Sequence, residues 1–113
     1  MTEISVGLKD GRKVALVVSG HTGFSERGSD VVCAGVSALV QALFYGFSEV
    51  LKEDCIRSAI DRNKTRMSLD WSKSSALAGD VLADTIIGSL KEIARSYPEH
   101  VRILEVHVNE LDF

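Results

Sequence analysis

Asp30-Val31-Val32-Cys33-Ala34-Gly35-Val36-Ser37-Ala38-Leu39-Val40-Gln41-Ala42-Leu43-Phe44-Tyr45-Gly46-Phe47-Ser48-Glu49-Val50-Leu51 runs for 22 residues without a charge between Asp30 and Glu49. A strand of that length is excluded, so the run predicts a helix over 30–51, capped by Ser29 or Asp30 and loosened near Gly46. A helix that is apolar all round needs cover on more than one side. A sheet can supply one side, and a second helix or another subunit the other.

Upstream, Ile4 to Lys9 alternates in polarity, Asp10-Gly11 is a strong hairpin signal, and Lys13 to Ser19 carries Val14, Leu16 and Val18 on one face with Ala15 and Val17 on the other. The chain therefore opens with a hairpin whose second strand belongs at the centre of a sheet. Downstream, Cys55 to Asp61 and Met67 to Trp71 are β-rich segments joined by the polar stretch Arg62 to Arg66. Helical spacing of Leu77, Val81, Leu90, Ile93 and Tyr97 predicts a second helix over about 75–97, stopped by Pro98, before a last strand over 101–108. The order is β-β-α-β-β-α-β. Its natural solution is an α+β fold with one mostly antiparallel sheet packed with two helices, in a single domain over residues 1–113.

The balance of 13 Lys plus Arg against 16 Asp plus Glu gives a net charge of −3 and no global basic field, so no direct nucleic-acid partner is expected. Met1 to Lys9 reads neither as a signal peptide nor as a membrane span. A cytoplasmic protein without a membrane partner is the expectation, and there two cysteines 22 residues apart are expected as thiols rather than a disulfide. No metal is expected, because no Cys-x-x-Cys or His-x-x-x-His pair exists. No cofactor is expected either, since Gly20, Gly23 and Gly28 lack the downstream Lys-Ser or Lys-Thr of a phosphate-binding loop.

Chemistry concentrates where Gly20-His21-Thr22-Gly23 is followed by Gly28-Ser29-Asp30-Val31-Val32-Cys33. Cys33 in the first turn of a helix lies near N–H donors that favour a thiolate and could hold an oxyanion, which makes it the candidate nucleophile. His21 is the candidate general base and acid. Asp30 could cap the helix or orient the His21 ring, and Ser37, one turn beyond Cys33, could bond the sulfur, line the pocket or bond back to a helix carbonyl. Against this stands the plainer reading that Cys33 merely packs, since Cys is among the most buried residue types. His100 and His107 read as solvated surface groups.

Gly20-His21-Thr22-Gly23, the stretch from Gly28 to Leu39, and Tyr97-Pro98 ending a long helix together resemble the bacterial ribosomal-processing cysteine protease family, Prp, over essentially the whole chain. The resemblance implies a cysteine peptidase that removes a short N-terminal extension from a large-subunit ribosomal protein, with Cys33 and His21 as its catalytic pair. Asp30 and Ser37 match positions usually occupied by the same types. It also implies a homodimer and a mobile loop over Thr22 to Ser29. Gly20, Thr22, Gly23 and Gly28 would then belong to a loop that closes over the peptide. Thr22 stands where the family commonly carries Ala, which leaves the proposed chemistry intact.

Part of Leu39, Val40, Leu43, Phe44 or Phe47 is expected to be buried at such a dimer interface. Two other classes compete: a non-catalytic module that binds a ribosomal protein and keeps Cys33 for packing, and a redox-sensing thiol protein. The latter usually wants a resolving Cys close by, and Cys55 begins a strand beyond the far end of the helix.

Overall fold

The computed structural model describes residues 1–20, 29–61, 63, 65–74 and 77–111, without the side chains of Ser29 and Asp30. Strands β1 (Thr2–Lys9) and β2 (Arg12–Ser19) form the opening hairpin, turned by Asp10 at φ +53 and Gly11 at φ +77. Two successive positive φ values are what a two-residue turn needs to match strand twist, and Asp-Gly tolerates both. Helix α1 (Ser29–Tyr45) follows and widens into a π-helical turn, Gly46–Val50. Then come β3 (Arg57–Asp61), β4 (Arg66–Asp70), helix α2 (Leu77–Ser96), β5 (Val101–His107) and a 3-10 turn, Val108–Glu110.

The sheet order is β3-β4-β2-β1-β5, with β1 and β5 parallel and every other pair antiparallel. Strand β2 takes the central place expected of a segment apolar on both faces. On the helix-covered face, Ile4, Val6, Leu16, Val18 and Leu69 meet Val32, Val36, Val40 and Leu43 of α1 and Ala83, Ile86, Ile87 and Leu90 of α2. On the opposite face Gly7 leaves room for Leu111: a Cβ at Gly7 would stand 2.6 Å from the Leu111 Cδ1.

The expected helix over 30–51 changes character at Gly46. There α2 comes so close that a Cβ would lie 2.4 Å from the Leu82 Cδ2. Residues 31–50 have a mean hydropathy of 1.7, enough by length and composition for a membrane span, yet one face of the segment forms the core against the sheet. This narrows the set expected at an interface. Val40, Leu43 and Phe47 are buried within the chain and Leu39 packs half-buried against the same core, which leaves Phe44 exposed, with Tyr45 beside it. Periodicity alone could not tell a face covered by α2 from one covered by a second copy.

Other boundaries move for local reasons. Strand β3 starts at Arg57 rather than Cys55, after a coil in which Lys52 takes φ +54. Trp71 lies just past β4, where its backbone N–H donates to the Val14 carbonyl at 2.8 Å and its ring N–H to the Lys13 carbonyl at 3.0 Å. The last strand ends at His107 because its Nδ1 accepts the Asn109 N–H at 3.1 Å and starts the 3-10 turn.

Asp70 closes the β3–β4 edge, its carboxylate accepting from Arg57 at 2.9 Å and from the Ser72 N–H at 2.8 Å. Burial pushes this carboxyl up, but the bonds from Ser72 and the Arg57 guanidinium outweigh it and hold it below the usual range. A depressed carboxyl stabilises the fold above its unfolded pKa, about 3.9, and that contribution disappears as the pH falls through the folded value. Asp70→Asn should therefore cost about 1 kcal/mol at pH 7, and the difference from wild type should shrink below about pH 4. Urea denaturation at the two pH values checks this; an equal loss at both would contradict the assignment.

Candidate active site

Cys33 is the fifth residue of α1, one position past the four whose N–H groups lack an intrahelical acceptor. The expected first-turn placement is thus corrected: α1 begins at Ser29, so Ser29 and Asp30 lie inside it rather than at its cap. Helix side chains lean toward the N-terminus, which carries the Cys33 sulfur back over that first turn.

Cys33 lines a cavity of about 400 Å³. Val18, Val36 and Met67 contribute apolar wall, and Ser37, Asp61, Thr65 and Arg66 contribute polar groups. Cys33 is half-buried. Val32 and Val36, in contrast, are buried in the core on either side of it.

Thr2, which reading the sequence did not single out, is buried with its Oγ1 3.4 Å from the Cys33 Sγ. A hydroxyl at that distance can donate to a thiolate. The signal was present only as register: Glu3 pairs with Ser19, which brings Thr2 beside the exit of β2. At that exit Gly20 adopts φ +83, and a Cβ there would stand 2.4 Å from the Met1 carbonyl oxygen. Only glycine lets the chain pass so close to another backbone at that φ.

Gly20 lines the Cys33 cavity, and so does Ser37, whose Oγ accepts from the Gln41 Nε2 at 3.2 Å. His21, Thr22, Gly23 and Gly28 lie outside the described residues, as does the side chain of Asp30. The expected loop over Thr22 to Ser29 lies outside them except for the backbone of Ser29. His107 is exposed as expected, whereas His100 is half-buried and its carbonyl accepts the Thr2 N–H at 2.8 Å.

The description "Cysteine protease Prp" belongs to a family whose model matches residues 1–102. The chain belongs to the Prp family. It is accordingly a cysteine peptidase, and the resemblance read from the His-loop-Cys segment is borne out. A ribosomal processing cysteine protease Prp from Mycoplasma genitalium is 33% identical over 91 residues, which cover 80% of this chain and 86% of that protein. Among solved structures, a Streptococcus mutans protein superposes with a TM-score of 0.85 at 24% identity, covering 95% of both chains. An essential ribosomal processing protease Prp from S. aureus, in complex with a substrate peptide, superposes at 0.78 with 21% identity, covering 94% of this chain and 100% of that one. These two likenesses show the shared Prp fold.

Cys55 provides an internal control for thiol chemistry. Partial burial and the carboxylate of Glu53, which accepts from its sulfur at 3.6 Å, push the Cys55 thiol up, with Asp54 adding to the effect. Cys33 should therefore be alkylated by iodoacetamide well before Cys55 at pH 7, with Cys55 catching up only in alkali. Mass spectrometry of the two peptides across pH 6 to 9 reads this; equal, slow labelling would remove the physical argument for a nucleophile at Cys33.

Proposed function

We propose that the chain is an endopeptidase that removes a short N-terminal extension from a large-subunit ribosomal protein in the cytoplasm, with Cys33 as nucleophile and His21 as general base and acid. The observation that carries this reading is that Cys33, near the start of α1, lines a cavity together with Gly20, the residue that precedes His21. The likeness to a ribosomal processing protease crystallised with a substrate peptide supports an extended peptide as the substrate.

In the proposed scheme His21 takes the Cys33 proton, and the thiolate attacks the scissile carbonyl carbon to form a C–S bond. The resulting oxyanion is met by backbone N–H groups in the first turn of α1, which the helix itself leaves without acceptors. Collapse breaks the C–N bond while protonated His21 delivers its proton to the leaving amine. Water, activated by His21, then hydrolyses the thioester and returns the thiol. Asp30 would orient the His21 ring, and the loop over Thr22 to Ser29 would close over the peptide.

The enzyme would work as a homodimer. An α1 that carries no charge from Val31 to Tyr45 and leaves Val31 and Tyr45 exposed supports this. Incubating the purified protein with a peptide spanning the N-terminus of the organism's own extended ribosomal protein tests the reading by mass spectrometry. One internal cut by wild type and none by Cys33→Ala is the expected result, and an intact peptide after prolonged incubation with wild type would count against it.

A further inference from the structure

Beside α1 a second groove, of about 970 Å³, runs between the helix and the β3–β4 pair. Phe44, Tyr45 and Ser48 line its helical side, and Ser58, Ile60 and Met67 its sheet side. Ile60 and Met67 also line the Cys33 cavity, so the two spaces share a wall. Ile60 is 67% exposed and Tyr45 63%, unusually open for apolar residues flanking one groove.

Strand β3 is also the outermost strand of the sheet, paired with β4 on one side, so among the described residues no strand neighbours the outer backbone of Ser58 to Ile60. Ser58 and Ile60 stand opposite Leu69 and Met67 in the register, and those two side chains pack toward the helices. A strand laid along this edge would send every second side chain into the groove under α1.

We propose that the outer edge of β3 receives the peptide substrate as an added strand, whose alternate apolar side chains enter the groove between α1 and β3–β4. The inference rests on the peptidase reading above and specifies how the substrate is held. Three demands converge on one occupant. The strand edge asks for backbone donors and acceptors, the groove asks for apolar side chains at every second position, and Cys33, which lines the adjoining cavity, asks for a carbonyl. An extended peptide meets all three. With about 3.3 Å of rise per residue, the five residues of β3 would engage about four or five residues of substrate.

A backbone N-methyl scan separates this mode from side-chain binding alone. Peptides of the cleaved sequence, each methylated at one amide, are titrated against Cys33→Ala by fluorescence anisotropy and assayed for cleavage by wild type. Loss of affinity by about three- to tenfold at alternate positions, with little change between them, is expected for a hydrogen-bonded strand. Ile60→Lys should raise KM about tenfold while kcat and the circular dichroism spectrum stay unchanged.

Affinities without alternation, or an unchanged KM in Ile60→Lys, would overturn the proposal. So would an Ile60→Lys protein that loses self-association but keeps its KM, because the edge would then serve a second copy. If the N-methylated series shows the alternation but wild type does not cut the unmodified peptide, strand addition stands while the peptidase reading of this substrate falls.

Discussion

Cys33→Ala is expected to lower kcat for peptide cleavage by at least about 10⁴-fold, with substrate affinity and thermal stability close to wild type. The nucleophile and its base act as a unit, so removing either removes nearly all of the covalent pathway. Ala is the best helix former and replaces a half-buried thiol at little packing cost. His21→Ala should fall to a similar level, and the double variant should be no worse than either single one. Cleavage by Cys33→Ala at even a hundredth of the wild-type rate would mean that the nucleophile has been misassigned. A Thr2→Val variant provides a graded comparison: it keeps the shape beside Cys33 but removes the hydroxyl 3.4 Å from the sulfur.

How far such a site can be read from sequence depends on how local its causes are. The Asp10-Gly11 turn, the central β2 and the helix that carries Cys33 all follow from short-range chemistry: positive φ, two-faced apolarity and the length of an uncharged run. The partners of Cys33 do not. Thr2 is 31 residues away and reaches the sulfur only because β1 pairs with β2. Likewise Ile60 and Met67 come to the cavity through the β3–β4 register, and nothing in the segment around Cys33 announces them. Which members of the expected interface set are buried within the chain has the same origin, since burial of one helix face is decided by elements up to fifty residues further along.

Phe47 shows how much that distant packing is worth. It is fully buried at the π-helical turn, with its ring stacked on Trp71 at 5.4 Å between centroids and 27° between planes. Gly79 of α2 approaches so closely that a Cβ there would lie 2.9 Å from the Phe47 Cε1. With the Gly79 backbone on one side and a buried indole on the other, the space left by Phe47→Ala cannot readily collapse. The loss should therefore be about 3–5 kcal/mol. For a domain of this size that lowers Tm by at least about 12 °C. Phe44→Ala, three residues earlier but 37% exposed, should cost under about 1 kcal/mol. Trp71 is the one tryptophan of the chain and touches the substituted ring, so urea titration followed by its fluorescence reports the transition directly. A Phe47→Ala protein within about 1 kcal/mol of wild type would show that the π-turn is not anchored in this core. Because that turn ends the helix that begins beside Cys33, the activity of Phe47→Ala should fall with the folded fraction while kcat per folded molecule holds.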